Sequence, residues 1–402
     1  MSVGKRLYPT DEESTDNRVR EHPLAARMGV IMTDRRREWT STMRGYQGSE
    51  GLVFAHRDSV PPSVTPRTVA REQRELLEEE ILTPGATRSR GAGQRELDEE
   101  PDPFRTCFER DRDRILHSNA FRRLAGKTQV FVFPADHQRT RLTHALEVAQ
   151  VATAVAQATG LNVALTEAIA LGHDCGHGPG GHASEEAFDH FVPGGYHHAQ
   201  WGADVVLRPL NLCEETLDGI RNHSWSRPTP STPEGVVVSW ADRCAYCAHD
   251  LEDAISAGIV SSEDLPSSIT RVVGSTRSSQ LRAFIGALIR SITETGRVGM
   301  DAEHAGALGE LRAFNYERIY NRPESLEQGQ AVIDVLRALV ETFIDSPSLL
   351  PASHLTDGDV VGSAVTYVAG MTDRFAFDTA TELVGWPASK LPRTLDTSRF
   401  RA

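Results

Sequence analysis

His144, the adjacent pair His173-Asp174, and Asp242 stand at the ends of stretches with helical periodicity, and they constrain the fold more than anything else in the chain. Two imidazoles and two carboxylates, with no thiolate among them, form a donor set for a divalent ion of hard or borderline character. To share one ion, these residues must converge from three or four helices on the interior of a bundle. Coordination positions are then left over for water and phosphate oxygens, which points to metal-assisted hydrolysis of a phosphate ester.

The flanking segments support a helical reading. Residues 143–159 carry apolar side chains at Leu146, Val148, Val151, Ala152 and Val155 and stop at Gly160. Residues 163–173 continue as a nearly all-apolar helix, which implies central burial. Helices are also expected over 71–81, 110–121, 183–191, 236–255, 279–292, 328–344 and 361–377. The best strand candidate is 128–133, Thr-Gln-Val-Phe-Val-Phe. The fold class is all-α. Residues 1–69 are polar and weakly periodic, a poorly ordered extension with one or two short elements near 35–43. Residues 83–103 read as a flexible linker, 70–257 as the catalytic core, and 258–402 as a helical region completing the same unit.

A His-Asp dipeptide alone is a weak signal, and the chain holds a second one at His249-Asp250. The context of the first is what counts. It runs directly into Gly176-His177-Gly178-Pro179-Gly180-Gly181-His182, a poor way to end a core helix but one that lets backbone approach a ligand closely. His182 and Glu185 share one helix face, so the carboxylate can set the imidazole's tautomer and raise its basicity. His197-His198 follows, and a second imidazole there can act as general acid. Arg122, Arg123, Lys127, Arg139 and Arg141 cluster near His144, a phosphate-binding group in an otherwise acidic chain. Asp242, Tyr246 and Asp250 fall on one stripe of one helix, suited to sugar and hydroxyl recognition or to plain burial.

The net charge of −13 over 402 residues argues against a general nucleic-acid-binding surface, leaving single-stranded nucleic acid a lesser partner. Five cysteines without a regular framework suit a reducing, cytoplasmic compartment, and Cys244 and Cys247 read as packed thiols in a helix interface. No apolar run is long enough for a bilayer, and the first residues lack the apolar region of a signal peptide.

The segments FRTCFERDRDRILHSNAFRRLAGKTQVF, RTRLTHALEVAQ, LTEAIALGHDCGHGPGGHASEEAF, VVSWADRCAYCAHDLEDA and AGMTDRFA together resemble the deoxyguanosinetriphosphate triphosphohydrolase family of the HD superfamily, over about residues 70 to 380. The resemblance implies an all-α HD-domain bundle with additional C-terminal helices. It implies hydrolysis of dNTPs to the deoxynucleoside and inorganic triphosphate with Mn²⁺, Mg²⁺ or Fe²⁺. It also implies an even-numbered homo-oligomer, tetramer or hexamer, with a dNTP as possible allosteric activator. Carried over by position, His144, His173, Asp174 and Asp242 match the metal ligands, and His182 with Glu185 match the imidazole–carboxylate pair. His198 matches the second catalytic histidine when His197 takes the preceding Glu position. Arg141 matches an arginine on the α-phosphate. Arg243, Tyr246 and Asp250 match phosphate and sugar positions, and Gln129 a residue near sugar and base. The chain departs from the family's usual HDxGHPPFGH loop: Gly178 replaces the first Pro, Gly180 replaces the Phe, and Cys175 replaces Leu or Val. Losing the Phe removes a bulky wall, so base selectivity is to be decided there. Two alternatives remain: an HD phosphohydrolase acting on nucleoside monophosphates, cyclic nucleotides or nucleic-acid ends, and a nucleotide-sensing scaffold with weak catalysis.

Overall fold

The computed structural model describes residues 33–43, 45–47, 51–56, 63–134, 137–356 and 358–393. Residues 1–68 and 69–402 form two separate compact units. The first holds helix α1 (Asp34–Ser41), capped by the Thr33 hydroxyl, and an antiparallel pair, β1 (Tyr46–Gln47) with β2 (Val53–Phe54), in which Tyr46 faces Phe54. Most of the expectation for the extension lies outside the described residues.

The second unit is helical. Helix α2 (Arg71–Ile81) precedes α3 (Cys107–His117) and α4 (Asn119–Arg123). The expected single helix over 110–121 breaks at Ser118, whose extended backbone ends α3 while its hydroxyl accepts from Phe121 N–H to start α4. The central helices follow: α5 (Arg141–Thr159), α6 (Val163–Gly172), α7 (His182–Asp189), α8 (His198–Trp201), α9 (Glu214–Asn222) and α10 (Pro233–Ser256). A Thr140–Thr143 capping box starts α5 just before Arg141, and Gly160 ends it at φ 68°. Asn162 caps α6, and Thr232 with Pro233 starts α10. Beyond lie α11 (Ser267–Val273), α12 (Arg277–Thr295), α13 (Ala302–Asn315) and α14 (Pro323–Asp345). The helix expected over 361–377 is two, α15 (Val360–Ala369) and α16 (Asp373–Thr379), because Thr372 caps a fresh start.

Helices α5, α6 and α10 pack on one another, with α3 against α6 and α12 against α5. Their apolar faces bury Val148, Val151, Val155, Leu165, Ile169, Val237 and Val238 completely or nearly so. This rigid centre fixes the ends from which the metal-type residues project. Cys244 and Cys247 are buried in the interface of α10 with α11 and α13.

Two expectations are corrected. Residues 128–133 form no strand: Thr128 makes one isolated bridge to Thr140, its N–H and hydroxyl donate to Asp373, and Phe133 sits at φ 53°. Residues 83–103 are not a flexible linker. Glu234 accepts from the Thr87 N–H and hydroxyl, Glu78 accepts from Ser89, and Arg95 pairs with Asp111 at 2.7 Å. Charge-paired anchors order a segment whose composition alone looks loose.

Candidate metal centre and active site

The ends of α5 and α6 and the middle of α10 meet at one point. His144 Nε2 lies 3.0 Å from Asp242 Oδ1. His173 Nε2 lies 3.6 Å from both Asp242 Oδ1 and Asp174 Oδ1, and His144 Nε2 lies 3.9 Å from Asp174 Oδ2. Donor atoms about 2.0–2.2 Å from a shared ion stand roughly 3–4 Å apart, so this set fits a divalent cation. His173 Nδ1 donates to the Ala170 carbonyl at 2.7 Å, which turns Nε2 toward the carboxylates, buried and without a hydrogen-bond partner among the described residues. Burial would lower His173, but Asp174 and Asp242 outweigh it and raise it to about 9. Burial would raise Asp174, yet Arg141 and His173 hold it well below the usual carboxylate range.

Arg141 is 2% exposed, and its Nη1 donates to Asp174 Oδ2 at 2.7 Å. Its Nε and Nη2 are buried with no partner among the described residues. A buried guanidinium with unused donors is an anion site in waiting, since leaving them unpaired costs free energy. Of the five cations near His144, Arg141 alone lines the adjacent cavity. Arg139 is tied to Glu147, Glu252 and Asp253, and Lys127 is buried, its ammonium donating to the His177 and Ala369 carbonyls. These two hold structure rather than phosphate, because carboxylates and carbonyls elsewhere in the chain already satisfy them.

The loop after Asp174 is tied down at every turn. Gly178 N–H donates to the Ser184 hydroxyl, Gly180 N–H to Asp373, and the Tyr196 hydroxyl to the Gly176 carbonyl. A Cβ on Gly180 would stand 2.4 Å from Val332 Cγ1, so α14 leaves no room for a side chain at that position. The loop delivers His182 to the start of α7, where its Nδ1 is 3.3 Å from Glu185 Oε2 and its ring is largely exposed. Glu185 Oε1 accepts from the His198 N–H at 2.8 Å and from His198 Nδ1 at 2.7 Å. Burial would raise Glu185, but His198 and His182 hold it well below its ordinary value. His197 is exposed, and of the adjacent pair it is His198 whose backbone and ring nitrogens bond to Glu185.

Two histidines to which the sequence assigns no role complete the floor. His177 is buried, stacks on His198 with centroids 3.7 Å apart, and has Nε2 3.2 Å from Asp174 Oδ1. His223, the C-cap of α9, has Nε2 3.2 Å from His198 Nε2. His177 was visible inside the glycine-rich loop; His223 shares with His173 only its place at the end of a helix.

All of this opens on one cavity of about 960 Å³. Gln129, Arg243, Tyr246 and Asp250 line it too. Gln129 Oε1 is buried without a partner among the described residues. The Arg243 guanidinium lies 3.4 Å over the Trp225 ring, and Trp225 packs edge-on against Trp240. Tyr246 accepts from Arg312 Nε at 2.8 Å, and Asp250 accepts from the Tyr320 hydroxyl at 2.5 Å. Burial raises Asp250 to about 7. Trp225, Arg312 and Tyr320 were not singled out in the sequence. They belong to segments without a motif and reach the cavity only through long-range packing. No described helix is long and apolar enough to cross a membrane.

Comparison with known proteins adds the following. Residues 141–247 match the HD domain family, and residues 298–382 match the phosphohydrolase-associated domain family. A deoxyguanosinetriphosphate triphosphohydrolase-like protein of Caldanaerobacter subterraneus subsp. tengcongensis is 41% identical over 316 residues, covering 76% of this chain and 93% of that protein. One of the same description from Clostridium perfringens (strain SM101) is 38% identical over 299 residues, covering 70% and 87%. Among solved structures, a hypothetical protein from Aquifex aeolicus aligns with a TM-score of 0.46 at 17% identity, over 70% of this chain and 69% of that one.

Proposed function

The chain belongs to the deoxyguanosinetriphosphate triphosphohydrolase-like family of HD phosphohydrolases, and from that premise we propose that it cleaves deoxynucleoside triphosphates, dGTP or several dNTPs, to the deoxynucleoside and inorganic triphosphate. The observation that carries this reading is Arg141: a buried guanidinium with two unused donors beside a cation-binding quartet. An uncharged substrate would leave those donors unpaired, while a phosphate oxygen satisfies them.

His144, His173, Asp174 and Asp242 would hold the metal, Mn²⁺, Mg²⁺ or Fe²⁺. When bound, a divalent ion supplies Lewis acidity at an α-phosphate oxygen and acidifies water. Arg141 takes up the negative charge that develops on the phosphoryl oxygens. Glu185 orients His182 by accepting from Nδ1, which leaves Nε2 free to carry a proton to or from the reacting oxygens. His198, through its N–H and Nδ1, keeps Glu185 ionised and in place for that task. At the far end of the cavity, Asp250 with Tyr320, and Tyr246 with Arg312, offer hydroxyl-sized polar contacts to a sugar. Gln129 and the Arg243–Trp225 stack complete the substrate contacts. We further propose that residues 70–402 act as one catalytic unit, in a cytoplasmic homo-oligomer open to dNTP activation.

The test is product analysis. Purified chain is incubated with each dNTP, singly and mixed, with Mn²⁺ or Mg²⁺. Release of intact tripolyphosphate supports the reading. Release of pyrophosphate or orthophosphate alone, or turnover of monophosphates in its place, sinks it. Activity confined to mixtures points to an activating nucleotide.

A further inference from the structure

Two thiols that are distant in sequence meet outside the site described above. Cys107 is the first residue of α3, and Cys213 caps the start of α9. Both sulfurs lie over Gly93: a Cβ there would stand 2.6 Å from Cys107 Sγ and 3.5 Å from Cys213 Sγ. Gly93 sits at φ 81°, a conformation that also favours glycine. The neighbour shared by the two thiols therefore has no side chain to part them.

The backbones that carry them are stitched together. Asp111 Oδ2 accepts from the Cys213 N–H at 2.8 Å and from the Thr216 hydroxyl at 2.7 Å, while its Oδ1 pairs with Arg95 Nη1 at 2.7 Å. Arg95 Nη2 in turn donates to the Cys107 carbonyl at 3.0 Å. The Gly93 N–H donates to the Glu215 carboxylate, and the Glu214 N–H to the Gln94 carbonyl. Charge-assisted bonds thus hold both cysteines and the glycine between them in one fixed relation.

The two thiols differ in access. Cys107 is half-buried and lines a separate cavity of about 370 Å³. Cys213 is completely buried. The Cys107 thiol hydrogen-bonded to it, together with burial, pushes Cys213 well above the usual thiol range. Cys213 is thereby kept as a neutral thiol, and Cys107 is the sulfur that a small oxidant meets first. Cys175, Cys244 and Cys247 are buried and line neither cavity.

We propose that Cys107 and Cys213 form a reversible thiol–disulfide pair, a modification site for hydroperoxides. The Cys107 sulfur attacks one peroxide oxygen and the O–O bond breaks, leaving a sulfenic acid and, from hydrogen peroxide, one water. The Cys213 sulfur then attacks the sulfenic sulfur. The S–S bond forms, the S–O bond breaks, and the Cys213 proton leaves with the hydroxyl as a second water. The two thiols lose two electrons and the peroxide gains them. Exchange with a small thiol restores the reduced pair, which is its resting form in a reducing compartment. The bond ties the start of α3 to the start of α9, the helix whose far end places His223 in the floor of the metal centre.

Two thiols packed side by side with no redox role would make the same contact, and peroxide separates the two cases. The full chain is reduced, desalted, treated at low protein concentration with hydrogen peroxide, alkylated in denaturant and digested for mass spectrometry. Free thiols are expected to fall from five to three per chain. A linked peptide is expected to join Cys107 to Cys213, lighter than its two reduced parts by two hydrogens, and dithiothreitol should restore all five thiols. Cys213→Ser is expected to give no linked peptide and a Cys107 sulfenic acid that dimedone traps. The parent's linked peptide decides the matter even if that variant misfolds. Five thiols retained, Cys107 oxidised to sulfinic acid without a linked peptide, or a link between two chains overturns the proposal. No nucleotide or metal enters the experiment, so its outcome is independent of the hydrolase reading.

Discussion

Asp242 and Asp250 sit two turns apart on one stripe of α10 and line the same cavity, yet their surroundings push them in opposite directions. At Asp242, burial would favour the neutral acid, but His144 at 3.0 Å and His173 at 3.6 Å hold the carboxyl well below its usual range. At Asp250, burial prevails over the Tyr320 hydroxyl and raises the group to about 7. One helix thus presents an anion for a cation at one end and a near-neutral acid for uncharged hydroxyls at the other. Residue type does not distinguish them; what faces each side chain does, and pairs of carboxyls pushed apart in this way mark a division of labour.

The charged end is broken most severely by Asp174→Ala. That variant loses a quartet donor and strands Arg141 without its partner. Tripolyphosphate release is expected to fall on the order of 10³-fold or more, with bound metal lost in parallel. Turnover within tenfold of the parent, in a folded variant, would remove the quartet from the reaction. Next comes the backbone beneath the charged end. A Cβ on Gly176 would lie 2.0 Å from the His198 carbonyl oxygen and 2.5 Å from Gly202 N, main-chain atoms that cannot swing aside. Gly176→Ala is expected to cost about 3 kcal/mol in denaturant unfolding, as overpacking does. A loss under about 0.5 kcal/mol would show that the loop and α8 are not held together as described.

Arg141→Lys is a gentler probe. The ammonium can still meet Asp174 but cannot present the two spare guanidinium donors. A fall of about 10²-fold in kcat/KM is expected with little change in metal content. If metal content falls as far as activity does, Arg141 serves the ligands and not the substrate.

The charged end was also the more legible one in the sequence. Its residues lie within or beside helices of clear periodicity, and the Gly/Pro loop marks a backbone shaped for something other than packing. The stripe Asp242–Tyr246–Asp250 could be drawn from helical spacing alone, but whether it served recognition or burial could not. That depends on Arg312 and Tyr320, 66 and 70 residues beyond their partners Tyr246 and Asp250, which α10 meets only in the folded chain. The same blindness to distant partners misassigned Arg139 and Lys127 to phosphate, since Glu252, Asp253 and the Ala369 carbonyl neutralise or satisfy them across the fold. It also made a strand of 128–133, where Thr128, Val130, Phe131 and Val132 line the cavity and pair with no neighbouring strand among the described residues.

The sharpest test of the comparison is also the smallest in size, Asp250→Asn. An unfolded Asp titrates near about 4, whereas folded Asp250 is raised to about 7. Between those values the native chain keeps a proton that the unfolded chain has released. Its contribution to stability is therefore full below about pH 4 and is lost as pH rises through 7. Asn keeps an oxygen to accept from the Tyr320 hydroxyl and carries no charge at any pH. Urea unfolding at pH 5 and pH 8 should show the parent losing on the order of 2 kcal/mol more than the variant over that interval. The variant should be the more stable of the two at pH 8. Measuring both chains side by side cancels the titration of every other group. If the two lose stability in parallel, Asp250 is ionised as Asp242 is, and the contrast between the two positions on α10 does not hold.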